Sequence, residues 1–141
     1  MIYDAARRAL FRLDPERAHA LTLNALRVAG ALPLVRIALG RALRFEDPRL
    51  EVEAFGLRFR NPLGLAAGYD KNGIAVRGLA SLGFGHLEIG TLTRGAQPGN
   101  PRPRLWRVPE ARAVINRLGF PNDGVDAFLA NIARSNYRGV L

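Results

Sequence analysis

The chain of 141 residues contains no cysteine, one methionine and one tryptophan, and only one of its 21 Lys and Arg residues is a lysine. Without cysteine, a disulfide and a thiolate metal site are both excluded. The two histidines, His19 and His86, lie far apart in unrelated contexts, so no zinc ligand set is expected. No run of 18 or more apolar residues occurs, which argues against a membrane-crossing helix. Asp4, Arg7, Arg8, Arg12 and Asp14 interrupt the N-terminal stretch, which therefore does not read as a secretory signal. The chain is strongly basic, with a formal net charge of +9. Its arginines are nevertheless dispersed, with no block of five or more like charges, and no nucleic-acid partner is expected. A basic surface of this kind suits an anionic membrane or an anionic small molecule equally well.

What is present divides near residue 45. Up to residue 44 the pattern is helical. Ile2, Ala5, Ala6, Ala9, Leu10 and Leu13 recur on one face, with Arg7, Arg8 and Arg12 off it. The tetrapeptide Asp14–Arg17 reads as a helix start, with Asp14 as N-cap and Pro15 at the first helical position, for a helix running to about Ala29 and stopping at Gly30. A third helix from about Pro33 carries Leu34, Val35, Ile37, Ala38, Leu39, Ala42 and Leu43. Short helices this apolar either pack on a domain or lie in a membrane interface.

Beyond residue 45 the periodicity changes. Glu51–Asn61 alternates around Gly56 as a hairpin, and Leu63–Ala67 reads as a buried strand ending in a glycine turn. Ile74, Val76, Leu79 and Leu82 predict a helix, and His86–Thr91 a second strand. An Arg- and Pro-rich loop, Arg94–Arg104, leads to a hairpin over Leu105–Asn116. Val125, Phe128, Leu129 and Ile132 mark a helix capped by Asp123, and Gly139–Leu141 begins a third strand. Strand–helix–strand–helix–strand implies parallel βα units. A closed eight-stranded barrel needs about 250 residues, so only part of one fits here.

In βα architectures chemistry sits in the loops after the strands. Here those loops hold "AAGYDKNG", "EIGT" and "INRLGF". The first contains Lys71, the one lysine in a chain that otherwise uses arginine. A compact ammonium reaches into a tight, partly desolvated space that a planar guanidinium fork would crowd. The small residues Ala66, Ala67 and Gly68 let the backbone approach a flat or anionic ligand closely. Taken alone, a glycine-rich turn with a lysine carries little weight, because it matches neither a Walker loop nor a dinucleotide fingerprint.

Five stretches in order carry more: "LDPERAH" (13–19), "NPLGLAAGYDKNG" (61–73), "GFGHLEIGTLT" (83–93), "QPGNPRPRLWR" (97–107) and "INRLGF" (115–120). Across essentially the whole chain they resemble the N-terminal part of class 2 dihydroorotate dehydrogenases, the membrane-associated, quinone-dependent flavoenzymes of pyrimidine (UMP) biosynthesis. The resemblance implies the first part of a TIM (β/α)8 barrel over residues 45–141, incomplete in this chain, preceded by a helical membrane and quinone cap over residues 1–44. It implies FMN as cofactor, contacted by Ala67, Gly68, Tyr69, Asp70, Lys71 and Thr91. Dihydroorotate or orotate would be held by Lys71 with Asn116, Arg117, Leu118, Gly119 and Phe120. Membrane quinone, the electron acceptor, would sit beside His19 and Arg107. The same resemblance implies peripheral attachment to the cytoplasmic side of the inner membrane and a monomeric complete enzyme. The family's serine base is expected beyond Leu141, so no catalytic base is assigned within these residues and the isolated chain is expected to be inactive.

Each assignment stands beside a plainer reading. His19 on an alanine-rich helix is ordinarily a packed or surface histidine, Arg107 a solvated strand charge, and Asn116 a turn cap. Glu88 and His86 are taken as structural. Two departures from the family pattern are Tyr69, where Leu or Phe is usual, which adds a hydroxyl near the flavin, and Pro121, where Asn is usual. The alternative function is a non-catalytic remnant that binds a membrane surface or a partner chain.

Overall fold

The computed structural model describes residues 2–141; Met1 and the side chain of Ile2, counted in the expected apolar stripe, lie outside the described atoms. Three helices come first: α1 (Ile2–Phe11), α2 (Pro15–Ala31) and α3 (Pro33–Leu43). Asp14 caps α2 as its sequence predicts, its carboxylate accepting from the backbone N–H of Glu16 at 3.0 Å and of Arg17 at 3.1 Å, with Pro15 in the first turn. The helix does not stop at Gly30. It runs to Ala31 because Gly30 serves packing instead of a C-cap, and the terminator is Pro33, which holds Leu32 extended at φ −93°.

The next segments are β1 (Val52–Ala54) and β2 (Leu57–Phe59), an antiparallel hairpin in which Ala54 faces Leu57. Its two turn residues, Phe55 and Gly56, both have positive φ, as the tight two-residue hairpin loop requires. Then β3 (Gly64–Leu65), α4 (Val76–Ala80) and β4 (His86–Leu87) form a parallel βαβ unit, with Gly64 opposite His86 and Leu65 opposite Leu87. The hairpin β5 (Leu105–Val108) and β6 (Ala113–Asn116) and the helix α5 (Val125–Ser135) follow. Val140 then bridges His86 in parallel. The order β3, β4, Val140 is the opening of a parallel barrel wall that does not close. The expected strands Leu63–Ala67, His86–Thr91 and Gly139–Leu141 shorten to two residues, two residues and one bridge, because each pairs only along the few positions its neighbour covers.

One expected cap is corrected. Asp123 does not cap α5; Gly124, at φ 86°, occupies that position. A Cβ there would come within 2.9 Å of Ala96 N, so only glycine enters so close to the preceding loop. The Asp123 carboxylate instead accepts from Asn72 Nδ2 at 2.6 Å, and its own N–H donates to Asn72 Oδ1 at 3.0 Å.

The core lies between α2 and the βαβ unit: Leu23 with Ala75, Val76, Leu79 and Leu87. Full burial of one such side chain is worth roughly 1.5–3 kcal/mol. Gly30 and Gly78 set the approach of α2 to α4. A Cβ on Gly30 would strike the Gly78 backbone, and one on Gly78 the Leu26 carbonyl. The His86 ring lies beneath Gly64 and meets Phe59 edge-on at 5.2 Å. Arg77 ties α4 to α5, donating to the carbonyls of Ser135 at 2.6 Å and Arg134 at 2.7 Å at the end of that helix.

Candidate active-site cavity

The turn after β3 is shaped by Asp70. Its carboxylate is fully buried and accepts from the N–H groups of Ile74 at 3.0 Å and Ala75 at 2.7 Å, which starts α4 and fixes the loop before it. Asp70 therefore spends its side chain on the turn, leaving its main chain for any ligand. Gly68 sits at φ 107° with nothing within 4 Å of where a Cβ would stand, so the backbone there faces open space. Lys71 turns back over it, and its ammonium donates to the Gly68 carbonyl at 2.7 Å.

A cavity of about 340 Å³ opens at this turn. Glu16, His19 and Leu23 of α2 form one wall, Gly68–Asn72 with Ile74 another, and Leu105, Leu118 and Pro121 a third. Tyr69 fastens the first two together. Its ring meets His19 edge-on at 5.0 Å and its hydroxyl donates to Thr22 Oγ1 at 2.9 Å. The extra hydroxyl noted from sequence is thus committed to α2 and not aimed at the cavity.

The cavity's charges act on one another. Burial, with the positive charge of Arg104, pulls the Lys71 ammonium below its ordinary pKa, against the opposing pull of Glu16. Burial and the nearby Lys71 likewise hold His19 below the usual imidazole value, against Asp70 and Glu16. Both influences favour the neutral imidazole. Glu16 goes the other way from what burial dictates. Burial would raise its carboxyl, but hydrogen bonds and charge from Arg104, with Arg102 beside it, outweigh that and lower it.

The residues singled out from sequence separate into two groups. His19, Gly68, Tyr69, Asp70, Lys71 and Leu118 meet at the cavity. Ala67, Thr91, Asn116, Arg117, Gly119, Phe120 and Arg107 do not line it. Ala67 and Thr91 are exposed, the former donating its N–H to Glu88 at 3.3 Å. Arg117 lies over the Trp106 ring at 5.7 Å, and Phe120 is exposed. Arg107 holds α1, donating to the Leu13 carbonyl at 2.8 Å and stacking on Phe11 at 4.6 Å. Glu16 and Arg104 were not singled out. Glu16 was legible as the residue one helical turn before His19, on the same face of α2. The burial of Arg104 was not legible at all. It donates to Glu16, to the Pro98 carbonyl at 2.7 Å and to the Asn100 carbonyl at 3.0 Å.

Parallel βα units with a helical layer laid over the loops that follow their strands define a segment of a βα barrel, a fold that places ligand sites at its strand ends. Residues 49–139 match the family model described as dihydroorotate dehydrogenase, and the chain belongs to that family. It is 54% identical over 140 residues to the dihydroorotate dehydrogenase (quinone) of Burkholderia thailandensis, covering 99% of this chain and 39% of that protein. The corresponding protein of Burkholderia pseudomallei is also 54% identical over 140 residues, with 99% and 40% covered. Among solved structures, the ligand-free DHODH from Eimeria tenella superposes with a TM-score of 0.73 at 40% identity, covering 86% of this chain and 31% of that one. The same enzyme in complex with ferulenol gives a TM-score of 0.68 at 37% identity, covering 86% and 30%. The chain thus spans about two-fifths of the length of the curated relatives it matches.

Proposed function

We propose that this chain forms the flavin- and quinone-facing part of a quinone-linked dihydroorotate dehydrogenase, which oxidises dihydroorotate to orotate in pyrimidine synthesis. The observation that carries the reading is the placement of the chain's one lysine. Lys71 is folded over an open glycine turn, half-buried, with His19 in the same cavity. The turn fits FMN: exposed Ala66 and Ala67 and the bare backbone of Gly68 leave room for a flat ring, with a positive charge beside it. FMN, when bound, accepts hydride from the dihydropyrimidine and passes electrons to a quinone.

This chain's residues do the positioning. An ammonium carries three donors; Lys71 gives one to Gly68 and keeps two for negative charge on the ligands. His19, held toward its neutral form, would donate its one ring N–H to a quinone carbonyl without adding a second cation next to Lys71. In this reading Asn116–Phe120 hold the pyrimidine, and Arg107 flanks the quinone while bracing α1. Helices α1–α3 rest on the cytoplasmic face of the inner membrane, and the complete enzyme acts as a monomer. Support for the membrane face comes from the exposed Leu21, Val28, Leu32, Leu34, Ile37 and Leu43. Among the described residues no single helix is long and apolar enough to cross a bilayer.

The test is dihydroorotate-dependent quinone reduction by the intact natural protein. Lys71→Ala should lower turnover by about 10²-fold or more, and Lys71→Arg should not restore it. Glu110→Ala, on the β5–β6 turn, should leave turnover unchanged. Full activity in Lys71→Ala would overturn the assignment.

A further inference from the structure

The Lys71 cavity lies where the parallel segments end. At their opposite end, where β3 and β4 begin, a second groove of about 740 Å³ opens between α3 and the Tyr137–Gly139 stretch. Six guanidinium groups line it, from Arg36, Arg41, Arg44, Arg60, Arg77 and Arg138, against one carboxylate, Glu46. Three of the six are committed elsewhere. Arg77 holds the end of α5, Arg36 donates to the Gly30 carbonyl at 3.2 Å, and Arg44 pairs with Glu46 at 3.5 Å. The side chains of Arg41, Arg60 and Arg138 make no hydrogen bond or ion pair with any described residue.

This is an uncompensated cluster. Like charges gathered in one concave space repel, and low-dielectric walls focus their field outward. The groove also has the shape such a field would serve. Arg36 and Gly40 lie one turn apart on one face of α3, with Arg44 just past its end, and a Cβ at Gly40 would touch nothing within 4 Å, so the floor between the arginines is open. Tyr137 adds a hydroxyl to the lining. Burial raises its pKa against the opposing charges of Arg60 and Arg44, so it remains a protonated donor. Planar forks with free N–H pairs, plus a phenol donor, converge from several sides, and a phosphate group has enough oxygens to accept from all of them at once.

We propose that this groove is a binding site for a phosphate group, carried either by a soluble phosphomonoester or by the headgroup of an anionic lipid, with Arg41, Arg60 and Arg138 as its free ligands. It is separate from the Lys71 cavity, shares no lining residue with it and does not depend on the function proposed above.

The experiment uses the intact natural protein in two arms. Inorganic phosphate and glycerol 3-phosphate are titrated by calorimetry, and binding to phosphatidylcholine vesicles with and without phosphatidylglycerol is measured by co-sedimentation. Arg41→Ala/Arg60→Ala/Arg138→Ala is compared with Arg58→Ala/Arg94→Ala/Arg112→Ala, which removes the same charge away from both the groove and helices α1–α3. Arg41→Lys/Arg60→Lys/Arg138→Lys keeps the charge and guards against misfolding. Loss of hydrogen bonds to a charged group should weaken binding by about tenfold or more in the groove alanine variant, with the lysine variant intermediate and the control unchanged. A loss in the calorimetric arm identifies a soluble phosphomonoester, and a loss only on phosphatidylglycerol vesicles identifies a lipid headgroup. No saturable binding in either arm, or equal losses in groove and control variants, would overturn the proposal.

Discussion

Glu16 and Arg104, 88 positions apart, face each other at 2.8–2.9 Å through two guanidinium nitrogens. This pair joins the first turn of α2, where Glu16 lines the Lys71 cavity, to the Arg- and Pro-rich loop. Arg104 is the more enclosed partner, its side chain 9% exposed against 18% for Glu16, whereas Arg102, on the other Glu16 oxygen, is 71% exposed. Breaking an enclosed pair strands the remaining charge; breaking an exposed one returns it to water. Arg104→Ala should therefore cost about 3 kcal/mol in urea unfolding, and Arg102→Ala less than about 1 kcal/mol.

Stability should fall in two stages on acidification. His19 is held below its ordinary 6.5, so below that pH the unfolded chain takes up a proton more readily than the folded one, and unfolding becomes easier as pH drops toward the depressed value. Glu16 is held below its ordinary 4.5. Its contribution is complete above that pH and is lost as pH falls further, through the folded value. His19→Gln should flatten the first part of the unfolding profile and Glu16→Gln the second. A profile unchanged by either substitution would count against these shifts.

Helix contacts at glycine should discriminate sharply between neighbouring positions. Gly30→Ala and Gly78→Ala each place a methyl group against backbone that cannot yield locally, and thermal unfolding should show a loss of about 2 kcal/mol or more for either. Gly40→Ala, in the interior of α3 with open space around it, should gain about 0.5–1 kcal/mol from helix propensity.

Tyr69 and Thr22 supply a paired test of the link between the cofactor turn and α2. Tyr69→Phe and Thr22→Val each remove one side of the 2.9 Å hydrogen bond and should each cost about 1 kcal/mol. The double variant should cost little more than one of them. Full additivity would show that the contact contributes nothing to docking.

The membrane-facing reading rests on exposed apolar residues of α2 and α3, and deleting the first 44 residues would not isolate them, because Leu23 of α2 belongs to the core. Leu34→Gln/Leu43→Gln is the cleaner probe, since Leu34 is 82% and Leu43 50% exposed. The pair should reduce binding to zwitterionic vesicles severalfold while leaving the melting temperature unchanged.

Local chemistry determined much of this protein from sequence alone. Asp14 and Pro15 specify the start of α2, Phe55–Gly56 sits at the centre of a hairpin, and βαβα order implies a parallel wall, because caps, turns and periodicity act within a few residues. The isolation of Lys71 in a glycine turn drew attention to that turn, although taken alone it carried little weight. Tertiary structure alone decided the rest. Gly30 became a packing surface instead of a stop, and Gly124 displaced Asp123 from the cap of α5, because another segment approached each backbone. Of the candidate residues in 116–120 only Leu118 reaches the cavity, and Arg104, which does not line it, pairs unannounced with the cavity residue Glu16. Which arginine is buried against a carboxylate, and which three converge unpaired at the far end of the strands, depends on contacts between segments far apart in the chain, and periodicity carries no record of those.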